Sequence, residues 1–117
     1  MLLMIVDDNS EMRRLIRNFL PAGHQVIECR DGAEAVAAYG NRQPDWVTMD
    51  IRMPLMDGIT ATARIRASFP RARIIMVTEF TNAELRETAL KAGAEHYLLK
   101  EDLSPLRQLI SEPTKLP

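Results

Sequence analysis

The sequence predicts an α/β domain in which a parallel sheet is wrapped by helices on both faces. Short apolar runs alternate with helical patterns five times along the chain, the pattern of repeated strand–helix units. The chain has 117 residues, 46% of them hydrophobic, which suits one compact domain around a single core. Four of the five apolar runs also end on polar or charged residues: Asp7 and Asp8, Asp50, Thr78, and Lys100. In an open parallel sheet such ends share one edge, where ligands sit.

The expected strands are LLMIV (2–6), QVIEC (25–29), WVTM (46–49), RIIMVT (73–78) and HYLL (96–99). The first helix carries Met12, Leu15, Ile16, Phe19 and Leu20 at helical spacing, which predicts a core stripe. Arg13, Arg14, Arg17 and Asn18 then fall on a solvated face. Asp8 or Ser10 is a candidate cap for this helix. Asp31 with Glu34, and Thr81 with Glu84, have capping-box spacing and start the second and fourth helices. The third helix runs from Gly58 to about Ser68, and Pro70 stops the chain before the next strand. Ser104 as cap and Pro105 in the first turn open a short last helix that buries Leu103, Leu106, Leu109 and Ile110. Residues 1–112 thus form the domain, and 113–117, with two prolines and no periodicity, form a tail or the start of a linker.

A formal charge of −1 offers no electrostatic footprint for nucleic acid. No apolar run approaches the roughly 18 residues of a membrane span, and the first strand begins at Leu2, so a soluble cytoplasmic protein is expected. Cys29 is the only cysteine; it allows no internal disulfide and reads as a small, inert core residue.

The strand ends carry the chemistry. Taken singly, Asp8 can be a cap, Thr78 a strand residue and Lys100 a solvated end. Together they favour a site. Two carboxylates about 4 Å apart repel by roughly 4 kcal/mol at an effective dielectric of about 20, so Asp7, Asp8 and Asp50 need a cation to share a pocket. Hard oxygen ligands without histidine or cysteine suit Mg2+, or a similar hard ion such as Mn2+. A carboxylate beside a divalent ion, a lysine and a hydroxyl meets the needs of phosphoryl transfer, with Asp50 as nucleophile. The strand before Asp50 holds it rigidly, and the turn through Met53, Pro54 and Gly58 lets the main chain approach the ion.

Four pieces, IVDDN, MDIRMPLMDG, VT at the end of the fourth strand and GAEHYLLK, occur in the right order and spacing, and with them the chain resembles the receiver domains of two-component response regulators over nearly its whole length. VDDNSEMRRLIRNFL is similar to the opening of chemotaxis-type single-domain receivers, whereas YLLKEDLSPLRQLI is closer to receivers that precede a helix-turn-helix output domain. The resemblance implies a flavodoxin-like, doubly wound sheet of order 2-1-3-4-5 with five helices. It also implies a switch that catalyses only its own phosphorylation and dephosphorylation. Asp50 would accept a phosphoryl group from a sensor histidine kinase or phosphotransfer protein. Asp8, Asp50 and the backbone carbonyl of Arg52 would bind Mg2+ directly, and Asp7 through water. Thr78 and Lys100 would contact the phosphoryl oxygens. Tyr97 would change rotamer with Thr78 and remodel the face of helix 4, strand 5 and helix 5, which is also a candidate homodimer surface. Without the family match, Tyr97 reads as a half-buried strand aromatic with its hydroxyl in water.

The chain departs from the family pattern at two places. Glu79 stands where a small residue is usual; pointing inward, it would repel dianionic donors or shield the acyl phosphate, and pointing outward it would only favour the start of the fourth helix. Glu101 follows Lys100 where many receivers have proline. Arg52 and Phe80 occupy positions that tune dephosphorylation in the family. A haloacid-dehalogenase-type phosphatase would need a second acid where Arg52 stands, and a longer chain. A flavin or nucleotide binder would need a glycine, serine and threonine loop in place of Asp7 and Asp8. The remaining alternative is a receiver-shaped interaction scaffold that is never phosphorylated.

Overall fold

The computed structural model describes residues 1–112; the tail or linker expected at 113–117 lies outside the described residues. Five strands, β1 (Leu2–Val6), β2 (Gln25–Cys29), β3 (Trp46–Met49), β4 (Ile74–Thr78) and β5 (His96–Leu99), alternate with α1 (Ser10–Phe19), α2 (Gly32–Arg42), α3 (Gly58–Ser68), α4 (Ala83–Ala92) and α5 (Leu106–Ile110). The sheet is parallel throughout, in the order β2-β1-β3-β4-β5. This is the doubly wound arrangement expected; β4 starts one residue later than the apolar run suggested.

The sheet separates two apolar layers. Met4, Val6, Val47, Met49, Ile74 and Met76 face Ala35 and Tyr39 of α2, Ala61 and Ile65 of α3, and Ala89 of α4. Leu3, Ile5, Trp46, Ile75 and Val77 face Ile16 and Leu20 on the side of α1, with Leu106 and Ile110 of α5. The three central strands are therefore buried on both faces, which is why they read as continuous apolar runs without alternation. Cys29 is buried, and burial, then the charges of Glu34 and Asp31, push its thiol up to about 12.

Helix starts differ most from expectation. Neither Asp8 nor Ser10 caps α1; Asn9 does, its side chain accepting from the Met12 amide at 3.0 Å. Asp31 caps α2 as expected, but Glu34 reaches back to the amide of Arg30 at 2.8 Å. At α4 the cap position is Asn82, with no side-chain cap bond, so Thr81 and Glu84 do not form a box. Ser104 bonds Asp102 instead of capping α5, where Pro105 takes the cap position. Each of these polar side chains has several backbone amides in reach, and the path of the incoming loop selects one.

The α1 stripe is also narrower than its spacing suggested. Ile16 and Leu20 are buried, whereas Leu15 and Phe19 are 43% and 37% exposed. On the polar face, Arg13 and Arg17 are not simply solvated: both pair with Glu28 of β2 at 2.8 Å.

Candidate functional site

Parallel register brings the strand ends together. The Asp50 amide donates to the Val6 carbonyl at 3.0 Å, and the Lys100 amide to the Thr78 carbonyl at 2.8 Å. These ladder bonds carry Asp7, Asp50, Thr78 and Lys100 to one edge although 93 positions separate the first from the last. The first is fully buried: Asp7 Oδ1 accepts the Asn9 amide at 2.9 Å, and its carbonyl accepts from Arg13 Nη1 at 2.7 Å. Asp8 is exposed at the lip of the crevice. Asp50 is 5% exposed, with Oδ1 accepting the Ile51 amide at 2.8 Å and Oδ2 accepting from Lys100 Nζ at 3.2 Å.

The electrostatics follow from burial. The Asp50 carboxyl is pushed up to about 6 by burial and by the charge of Asp7, against the pull of Lys100 and the Ile51 amide. Burial would lower the Lys100 ammonium, but hydrogen bonds and charge from Asp7 and Asp50 outweigh it and hold the group above its ordinary value. One carboxylate oxygen from each of Asp7, Asp8 and Asp50 lies within 4.8 Å of the others. Asp7 Oδ2 is buried and accepts no hydrogen bond, with only the ion-pair contact to Lys100 at 3.0 Å. Three acids against one ammonium, all hard oxygen donors with one left short of partners, fit a hard divalent cation.

Gly58 packs directly against the backbone of Asp50. A Cβ on it would overlap the Asp50 carbonyl oxygen, and its amide donates to the Ile51 carbonyl at 2.8 Å. Its lack of a side chain serves the packing of α3 against the backbone of Asp50 itself. Gly32 has the same role at the start of α2, where its amide donates to the Met56 carbonyl at 3.1 Å and a Cβ would press on that oxygen at 2.5 Å.

Thr78 and Tyr97 meet through the Phe80 peptide rather than through each other. Thr78 is fully buried, and its Oγ1 accepts the Phe80 amide at 3.2 Å. The Tyr97 hydroxyl donates to the Phe80 carbonyl at 2.9 Å, so the half-buried ring does not direct its hydroxyl only to water. The Arg52 guanidinium lies over the Phe80 ring, 4.9 Å from its centroid. Glu79 is exposed, and its carboxylate pairs with no described residue, so its charge acts from the rim. Sequence reasoning misses the Phe80 link because backbone atoms carry it. The close approach at Gly58 has a signal, a glycine opening a helix, but the sequence alone ties that glycine to the ion.

A doubly wound sheet with an acidic cluster and a lysine at the carboxyl ends of its strands defines a class of signalling domain. The response regulator receiver domain model matches residues 3–111, and the chain belongs to that family. The chain is 41% identical over 103 residues to the chemotaxis protein CheY of Halobacterium salinarum, covering 87% of this chain and 86% of that protein. Among solved structures, the response regulator domain of Thermotoga maritima CheB superposes with a TM-score of 0.88 at 27% identity, over 100% of this chain and 98% of the other. The CheX-CheY-BeF3-Mg2+ complex from Borrelia burgdorferi gives 0.79 at 33% identity, over 84% of this chain and 76% of that one. No helix among the described residues is long and apolar enough to cross a membrane.

Proposed function

We propose that this receiver is a phosphorylation-dependent switch acting in the cytoplasm, with Asp50 as phosphoacceptor for a sensor histidine kinase or phosphotransfer protein. The observation that carries the reading is the buried Asp50 carboxylate held by Lys100, which also contacts Asp7, at the end of a rigid strand paired with the one that ends in Thr78. An Asp50 oxygen attacks the phosphorus, the new P–O bond forms as the P–N bond breaks, and the electron pair leaves on the donor imidazole. Lys100 exchanges its bond to Asp50 Oδ2 for a phosphoryl oxygen, and the Thr78 hydroxyl donates to another while its Oγ1 keeps the Phe80 amide. Asp8, Asp50 and the Arg52 carbonyl would hold Mg2+ or Mn2+, with Asp7 acting through water. The ion supplies neutralisation of the acidic cluster and of the phosphoryl charge. The relative from Borrelia, a complex with BeF3 and Mg2+, supports this cofactor.

Movement of Thr78 reaches Tyr97 through the Phe80 peptide, and the face of α4, β5 and α5 is the output surface, including for a homodimer. Residues 1–112 act as the receiver unit, with 113–117 as tail or linker. Intact mass after incubation with acetyl phosphate or phosphoramidate tests the reading. A Mg2+-dependent gain of one phosphoryl group, absent in Asp50→Asn, is expected. No labelling, even from a kinase phosphodonor, would leave the scaffold alternative.

A further inference from the structure

We propose that Glu95, His96 and Glu112 form a second cation site, for a divalent transition ion of the Zn2+ class, at the end of the sheet opposite Asp50. The three residues come from the start of β5 and from the turn that follows α5, and their ligand atoms lie within 4.8 Å of one another. Unlike the acidic cluster, the donor set mixes an imidazole nitrogen with two carboxylates, which selects borderline ions over Mg2+.

The spacing suits such an ion. Ligand atoms about 2.1 Å from a metal stand about 3.0 Å apart in octahedral and about 3.4 Å apart in tetrahedral geometry. Here His96 Nε2 lies 2.8 Å from Glu112 Oε1 and 3.8 Å from Glu95 Oε2, distances that bracket both geometries. A proton fills the gap in the metal-free form, with His96 Nε2–H donating to Glu112; a metal would replace that proton. The ligand side chains retain 24%, 21% and 35% exposure, so solvent reaches each of them.

Arg73 supports the site from behind. Its Nε and Nη2 grip the Glu95 carboxylate, its Nη1 donates to the Glu112 carbonyl at 2.9 Å, and its guanidinium lies 3.9 Å from the centre of the Trp46 ring. These bonds fix both acid-bearing segments in advance, at the cost of a positive charge that weakens affinity. An ion held there ties the end of α5 to the start of β5, two of the three elements of the proposed output face. The site is independent of whether Asp50 is phosphorylated.

Two features make the test clean. The chain has one tryptophan and two histidines, and Trp46 stacks on His96 with ring centres 6.3 Å apart. Zn2+ titrated calorimetrically into the protein in excess Mg2+ should bind one ion per chain. Affinity should fall by at least about tenfold in His96→Ala and in Glu112→Gln, and stay unchanged in His24→Ala. With wild-type protein in the same saturating excess of Mg2+, which occupies the acidic cluster, Co2+ should quench Trp46 emission and broaden NMR signals around His96, not around Asp50. Binding that survives His96→Ala, broadening centred on Asp50 or His24, or no binding at all would overturn the proposal and leave the cluster as a structural clasp.

Discussion

Lys100 stands between two acids, its Nζ 3.0 Å from Asp7 Oδ2 and 3.2 Å from Asp50 Oδ2. One ammonium thus holds together carboxylates from two different strands. Removing it leaves two buried like charges. Lys100→Ala should lose about 2 kcal/mol of stability in EDTA, less than a fully buried pair because the lysine is 21% exposed. Mg2+ should recover most of that loss, since a cation replaces the missing charge. Denaturant melts with and without Mg2+ read this directly; equal losses in both would show that the lysine matters for packing alone.

Burial and Asp7 place the folded Asp50 carboxyl at about 6, above the roughly 3.9 of an unfolded aspartate. Between those values the folded chain keeps a proton that the unfolded chain gives up. Stability is therefore present below about pH 4, falls as pH rises to about 6, and stays lower above. Asn carries no such penalty. In EDTA, Asp50→Asn should be more stable than the wild type by about 3 kcal/mol at about pH 8, with the gain vanishing near pH 4. A gain of the same size at both pH values would place its origin elsewhere.

Gly58 leaves no room for a methyl group, because a Cβ would overlap the Asp50 carbonyl oxygen. Gly58→Ala should cost about 3 kcal/mol or more, and should depress phosphoryl labelling by displacing the strand end that bears Asp50. Thermal melts and intact mass check the two halves separately.

The Tyr97 hydroxyl reaches the Phe80 carbonyl at 2.9 Å. Tyr97→Phe should cost about 1 kcal/mol and leave Asp50 labelling within about twofold, because the hydroxyl never touches the acidic cluster. Hydrogen exchange should quicken in the loop between β4 and α4. Unchanged exchange there would remove the Phe80 peptide from the coupling route.

Glu79 is exposed at the rim, where its solvated charge would repel an anionic donor approaching Asp50. Glu79→Ala should raise the rate of labelling by acetyl phosphate about two- to fourfold at low ionic strength, and the gain should disappear at high salt. A gain that persists at high salt would indicate a steric gate.

The sequence by itself determined the strands, the doubly wound class and the members of the acidic cluster. Continuous apolar runs are local signals, and a parallel sheet forces their carboxyl ends to one edge, so Asp7, Asp50, Thr78 and Lys100 were legible together. Tertiary structure alone decided how they engage. Asn9 rather than Asp8 or Ser10 caps α1, because neighbouring side chains compete for the same amides and the loop chooses among them. Gly58 serves the Asp50 backbone, and the Phe80 peptide joins Thr78 to Tyr97, because main-chain atoms carry no residue code. Glu95, His96 and Glu112 meet only when the turn after α5 returns to the start of β5. Contacts of that kind depend on where distant segments come to rest, which no local pattern encodes.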